Sequence, residues 1–218
     1  KLNYSGDYKI VIDDEDKELE LYKEKYKDHL LIFNKMDYAY IDTGYDSEHF
    51  PKSTPIFARE FINCYAYNNK VGNYLMLDDD IQRIKFRIPD YNTNSLPGYH
   101  ITNIDDLLDY LFDFMDNDNI YTMGFCHQGE FVGGIQSFNE EKILGKRAIC
   151  QIFLFNSKKK FDWKLVWYED YNSCYYNGIR GQLTFKIPFI GYETELTGND
   201  NKSTGMGECY KDNIQLYK

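Results

Sequence analysis

The sequence has no apolar run near the roughly 18 residues that a membrane-spanning helix needs, and no secretory leader opens it. It has no repeat, no Pro- or Gly-rich linker and no low-complexity tract, so nothing marks a domain boundary and a single domain over 1–218 is expected. Paired metal or redox cysteines are missing too. Cys64, Cys126, Cys150, Cys174 and Cys209 are scattered, odd in number and contain no C-x-x-C, which predicts reduced, mostly buried thiols in a cytoplasmic protein. The four histidines, His29, His49, His100 and His127, share no metal-ligand spacing, so none is assigned to a metal; His100 and His127 are read as lying in polar loops. Positive charge is short as well. With 25 basic against 35 acidic side chains the net charge is −10, which excludes a basic nucleic-acid coat or polyanion-binding arm as the main theme.

What is present is aromatic. The 21 Tyr and 15 Phe, in a chain with 43% hydrophobic residues, are far from the composition of disorder and predict a packed core. Tyr8–Ile12 reads as a short strand, Asp13–Lys27 as a solvated helix and Leu30–Phe33 as a second strand, the rhythm of a β-α-β unit in an α/β fold. A helix is predicted over Ser53–Asn69, with Ser53 or Thr54 as N-cap and Pro55 at its first position. The apolar strand Asn73–Leu77 follows and stops at Asp78, Asp79 and Asp80; Ile81–Ile88 then alternates as a half-exposed strand. Asn103 caps the clearest helix, whose apolar stripe is Ile104, Leu107, Leu108, Leu111, Phe112 and Met115. Strands are predicted at about Ile120–Phe125, Ala148–Phe155 and Leu183–Ile187, with a helix over Glu169–Asn177.

Three places can carry chemistry. Asp78-Asp79-Asp80 lies at the carboxyl end of a buried strand, where open α/β sheets bind ligands, and two acids two residues apart can share one hard divalent cation. The competing reading is an acidic surface turn. Glu169-Asp170 follows the aromatic run FDWKLVWY; a carboxylate partly desolvated by Trp163, Trp167 and Tyr168 would make a general base, whereas the same acids can simply complement a helix N-terminus. The tail Asn199–Gly207 offers Lys202 as a charge and Ser203, Thr204, Gly205 and Gly207 as backbone donors to a phosphate, or is an ordinary loop. In this order the three pieces are what a nucleotide-sugar glycosyltransferase of the GT-A fold requires.

The runs IVIDDEDKELELYKEKY from Ile10, PIFAREFIN from Pro55, YLMLDDDI from Tyr74, YEDYNS from Tyr168 and TGMG from Thr204 together resemble the DNA-modification glycosyltransferases associated with base J and TET-type oxygenases, found in phages, bacteria and kinetoplastids. The resemblance implies a GT-A-like three-layer α/β sandwich with a mixed, mostly parallel sheet, and a first β-α unit missing ahead of Lys1. It implies a UDP-sugar donor and Mn²⁺ or Mg²⁺, with Asp78 on the ribose or a metal-bound water, Asp79 beside the donor and Asp80 on the metal. Asp170, with Glu169 beside it, falls on the acidic pair that supplies the base in inverting enzymes. Arg59 falls on the arginine of an A-R-N-like helix near the nucleotide, although Glu60 stands here in place of Asn. Lys202, Gly205 and Gly207 fall on the loop closing over the phosphates. The implied acceptor is a hydroxyl, including that of a hydroxymethylpyrimidine in DNA; the implied place is the cytoplasm of a bacterial or phage-infected cell. A DNA acceptor needs a local basic groove, for which Lys85, Arg87, Lys142, Lys146 and Arg147 are the candidates. The alternative is a catalytically inactive GT-A-like binding or inhibitory module, for which the high Tyr content speaks.

Overall fold

The computed structural model describes residues 3–45, 54–138 and 148–194. Strand β1 (Ile10–Asp13), helix α1 (Leu19–Tyr26) and strand β2 (Leu30–Phe33) form the expected β-α-β unit, with β1 and β2 parallel and Ile10 beside Leu30. The helix is shorter than Asp13–Lys27. Asp13 accepts from the Glu15 amide at 2.9 Å and Asp16 from that of Glu18 at 2.7 Å, local bonds that hold turns in place of the first helical residues.

Six further strands make one sheet: β3 (Asn73–Leu77), β4 (Ile81–Arg87), β5 (Gly98–His100), β6 (Thr122–His127), β7 (Ile152–Asn156) and β8 (Thr184–Thr194), ordered β3-β7-β6-β8-β4-β5. Helices α2 (Ile56–Asn68), α3 (Asp105–Asn117) and α4 (Glu169–Ile179) cover it. Strand β7 shows how. Ile152 and Leu154 join a core with Leu108, Leu111 and Met115 of α3, while Phe153 and Phe155 join a second core with Ile56 and Phe57 of α2, Cys174 of α4 and Phe33 of β2. Alternate side chains thus feed two cores on opposite faces, which is the three-layer α/β arrangement expected.

The balance of the mixed sheet differs from the expectation. Within the six-stranded sheet only β6 and β8 pair in parallel; the other neighbours are antiparallel. Parallel neighbours need a long crossover, and β6 and β8 have one, through β7 and α4. By contrast β4 turns directly into β5 through the Asp90–Ser95 bridge. Two strand boundaries moved for local reasons. Strand β7 starts at Ile152, after Gln151 takes a left-handed φ of 59°. Strand β8 runs on to Thr194 because Pro188 falls where its pairing with β6 slips from Ile187–Phe125 to Gly191–Cys126, an irregularity that tolerates a missing N–H. His100 ends an unpredicted short strand, β5, and His127 ends β6, rather than either lying in a loop.

Two glycines set close approaches near the site. A Cβ on Gly124 of β6 would lie 2.1 Å from Ile149 Cγ2 and 2.6 Å from the Ile152 carbonyl; one on Gly191 of β8 would lie 2.5 Å from the Phe131 ring. The first brings the Ile149–Ile152 segment down onto the sheet, and the second seats Phe131 there.

Candidate active site

Strand β3 is the edge of the sheet, and β4 lies beyond three intervening strands. Asp78, Asp79 and Asp80 join the two, so they cross the strand ends, including the carboxyl ends of the parallel pair β6 and β8. This is where α/β sheets bind ligands. The Asp78 amide donates to the Gln151 carbonyl at 3.1 Å, fixing the start of the crossing.

A cavity of about 250 Å³ opens there, lined by Pro55, Arg59, Asp78, Cys150, Gln151, Tyr168, Glu169, Asp170 and Tyr171. At its base Arg59 of α2, 4% exposed, donates from Nη1 to Glu169 Oε1 at 2.8 Å and from Nη2 to both Asp78 oxygens at 3.1 Å. Its guanidinium lies 5.3 Å from the Phe153 ring centre and 5.2 Å from that of Trp163, between two aromatic faces that favour a cation. Trp163 is held by α4: Asn177 clamps the Asp162 backbone at 3.0 and 2.8 Å, and Ser173 Oγ accepts from the Lys164 amide at 2.9 Å. The buried face Glu169, Ser173, Cys174 and Asn177 therefore serves the site as well as the core.

Burial raises the Asp78 and Glu169 carboxyls above their ordinary values, with Arg59 pulling both back down. Asp80 is also raised, by burial and then by Asp78 and Asp79; among the described residues the one side chain bonded to its oxygens is Gln151, whose amide lies 3.3 and 3.5 Å away. Among the described residues no cation pairs with Asp170, which accepts from the Tyr171 amide at 2.8 Å. Burial, and then the Asp170 charge, push the Cys150 thiol up; the Tyr171 phenol beside Cys150 is pushed up to about 12. Both groups are neutral at physiological pH, and a neutral thiol is a poor nucleophile. Gln151 and Tyr168, with φ of 59° and 50°, are strained walls of the same cavity, and such strain gathers at functional sites.

The carboxylates outnumber the one buried cation, so the site suits a ligand that brings positive charge or a metal ion. Among the described residues no group of three or more His, Cys, Asp or Glu is arranged to hold a metal by itself. A Mg²⁺- or Mn²⁺-type site using one or two carboxylates, with water and substrate phosphate completing the shell, remains compatible with these donors. Asp80 fits that part, since Asp78 gives both oxygens to Arg59.

A family model described as TET-Associated Glycosyltransferase matches residues 1–195. The chain belongs to that family. It is accordingly a glycosyltransferase by family, as the sequence motifs implied. No curated protein and no solved structure matches the chain.

Within this glycosyltransferase the fold gathers Arg59, Asp78, Glu169 and Asp170 around one cavity, with Asp80 reaching its wall through Gln151. Asp79 is exposed and outside the lining, and acts on Asp78 and Asp80 through its charge. Arg59 lines the cavity, but its Nη donors are spent on two acids. Lys202, Gly205 and Gly207 lie outside the described residues, as do Lys142, Lys146 and Arg147 among the groove candidates. Cys64, Cys126, Cys150 and Cys174 are free thiols. No described helix is long and apolar enough to cross a membrane. Sequence reasoning missed Cys150, Gln151 and Tyr171. Cys150 and Gln151 sit in a run that reads as continuous strand, and only the reversal of φ at Gln151 turns them into a cavity wall.

Proposed function

We propose that this family member moves a sugar from a nucleoside diphosphate sugar, a UDP-sugar, to an acceptor hydroxyl in an inverting displacement. Asp170 is the base. The observation that carries this reading is the division of labour among the acids: Arg59 is bonded directly to Asp78 and Glu169, and among the described residues no cation pairs with Asp170 at the cavity wall. The acceptor oxygen attacks the anomeric carbon, its proton passes to Asp170, and the bond to the diphosphate oxygen breaks to release the nucleoside diphosphate. Arg59 holds α2, the end of β3 and the start of α4 together, which keeps Asp170 in place. Mn²⁺ or Mg²⁺ held by Asp80 would supply positive charge to the leaving diphosphate. The acceptor in this reading is the hydroxyl of a hydroxymethylpyrimidine in DNA, as the resemblance of the sequence motifs implies.

The test is turnover of UDP-sugars with Mn²⁺, read as UDP release. Asp170→Asn should lower kcat by about 10²- to 10⁴-fold with UDP affinity unchanged; undiminished kcat refutes the base. The inactive-module reading draws on Tyr168, Tyr171, Tyr175 and Ile179, which expose an aromatic and apolar ridge along α4. It predicts no calorimetric signal with UDP and Mn²⁺ from folded protein.

A further inference from the structure

Just before β7 the backbone makes a tight three-residue turn over Cys150, Gln151 and Ile152. The Ile152 amide donates back to the Cys150 carbonyl at 2.6 Å, and Gln151 at the centre takes a φ of 59°. Turns closed this tightly with a positive φ are rare and strained for a residue with a side chain, and glycine relieves the strain. The surroundings hold the turn in place. The Tyr192 hydroxyl donates to the Cys150 carbonyl at 2.9 Å, Ile149 and Ile152 are buried, and Gly124 of β6 leaves the room in which they pack. Yet the strained residue carries a long polar side chain, and it lines the active-site cavity. A side chain held under such strain points to a contact that glycine could not make.

Gln151 makes two ties to the acids. Its carbonyl accepts from the Asp78 amide at 3.1 Å, which fixes where the Asp78–Asp80 crossing leaves β3. Its side-chain Nε2 reaches the far end of the same crossing, 3.3 Å from one Asp80 oxygen and 3.5 Å from the other. The contrast with Asp78 is chemical. Arg59 holds Asp78 with a full positive charge and so cancels it. An amide is neutral: it sets the plane of the Asp80 carboxylate and leaves its charge intact. A carboxylate has about four lone-pair sites, so those turned away from Gln151 stay open to a cation.

We propose that Gln151 is a positioning residue, whose side-chain amide orients the Asp80 carboxylate for a divalent cation before the donor binds. This rests on the cation role given to Asp80 in the glycosyl-transfer reading above. The competing account is a structural tie that merely holds the acidic turn, and the two differ in what loss of the side chain does to stability.

Two variants separate them. Gln151→Gly keeps the carbonyl that Asp78 uses, relieves the positive φ and removes the amide; Gln151→Asn tolerates the same φ but is one methylene shorter. The experiment is calorimetry of Mn²⁺ with the full chain in a fixed excess of UDP, alongside thermal unfolding of the metal-free chain. Each variant should unfold no earlier than the parent, while Mn²⁺ affinity falls about 10- to 100-fold, the size that goes with losing a group that orients a metal ligand. In an Asp80→Ala background, adding Gln151→Gly should leave UDP affinity unchanged, because the amide then has no carboxylate to orient. A further loss of UDP there would mean that Gln151 touches the donor itself, and overturns the positioning role. Unchanged Mn²⁺ affinity in both variants refutes the inference and leaves the glycosyl-transfer reading standing. So does a lower Tm in both, with or without a change in Mn²⁺ affinity, which makes Gln151 a structural tie. A folded parent with no Mn²⁺ response overturns the metal part of that reading, and this inference with it.

Discussion

Replacing Arg59 by Leu removes the one cation shared by Asp78 and Glu169, and the structure fixes both the size and the pH dependence of the result. The guanidinium is 4% exposed, and the side chains of Glu169 and Asp78 are 10% and 27% exposed, so little water is at hand to replace it. Breaking a buried ion pair by removing one partner costs about 3–5 kcal/mol. For a domain of this length that corresponds to a fall in Tm on the order of 6–20 °C. Burial already lifts both carboxyls above their unfolded values of about 3.9 and 4.3, against the pull of Arg59. The folded chain therefore keeps protons that the unfolded chain releases. The contribution of these groups is fully present below the unfolded values and is lost as pH rises through the folded ones. Without Arg59 both folded values climb further, so the penalty is largest at neutral pH and shrinks as the acids take up protons. Thermal unfolding followed by circular dichroism at pH 7.5 and pH 5 reads both quantities. A Tm within about 2 °C of the parent at pH 7.5, or a deficit that does not narrow at pH 5, would refute the shared-cation argument. The triple change Arg59→Met, Asp78→Asn, Glu169→Gln should recover most of the lost stability, because it leaves no charge unpaired.

Asp80→Ala should leave the fold intact, since among the described residues Gln151 is the one side chain bonded to its carboxylate, and should make UDP affinity insensitive to Mn²⁺ in calorimetry; an unchanged Mn²⁺ dependence removes Asp80 from the metal. Gly124→Ala places a methyl 2.1 Å from Ile149 Cγ2 and 2.6 Å from the Ile152 carbonyl, so one neighbour must move. Overpacking of this kind costs roughly 1–3 kcal/mol, read as a lower urea midpoint at unchanged m-value. A neutral Gly124→Ala would mean that the Ile149–Ile152 segment is free to lift off the sheet.

Much of the fold is legible in the sequence because its signals are local. Asn103 marks the α3 start to within one residue: the N-cap is Ile104, and Asn103 beside it accepts from the Asp105 amide at 3.2 Å and donates to the Asp106 carboxylate at 2.9 Å. Likewise Thr54 and Pro55 mark the start of α2, although Pro55 takes the N-cap position and the helix begins one residue later than expected, at Ile56; Asn73–Leu77 is a strand over the predicted residues. The acids were legible as types, since runs of carboxylate at a strand end and a helix start are rare enough to notice. Their relation was not. Nothing in the spacing of Arg59, Asp78 and Glu169 says that one guanidinium ties the other two, because the tie depends on which faces of α2 and α4 meet β3. Strand direction is not legible either: the resemblance implies a mostly parallel sheet, whereas among the described strands of the six-stranded sheet β6 and β8 alone, joined by a long crossover, pair in parallel. Pro188 is the sharpest case. Its ring argues for a strand end, and only the register slip beside it lets β8 continue to Glu193.

That continuation matters to the chemistry. Had β8 stopped near Ile187, Glu193 would not lie across from Arg83, and three cations of β4 would share one face with nothing to hold them apart. The register slip therefore brings Glu193 to the cations of β4, Arg83, Lys85 and Arg87, while at the strand ends Asp78 and Glu169 gather on Arg59. Each cluster carries more charge than its single counter-ion cancels, and the excess has opposite sign in the two. Tyr192 lies between the two, its hydroxyl donating to the Cys150 carbonyl at 2.9 Å and its ring 5.4 Å from that of His127.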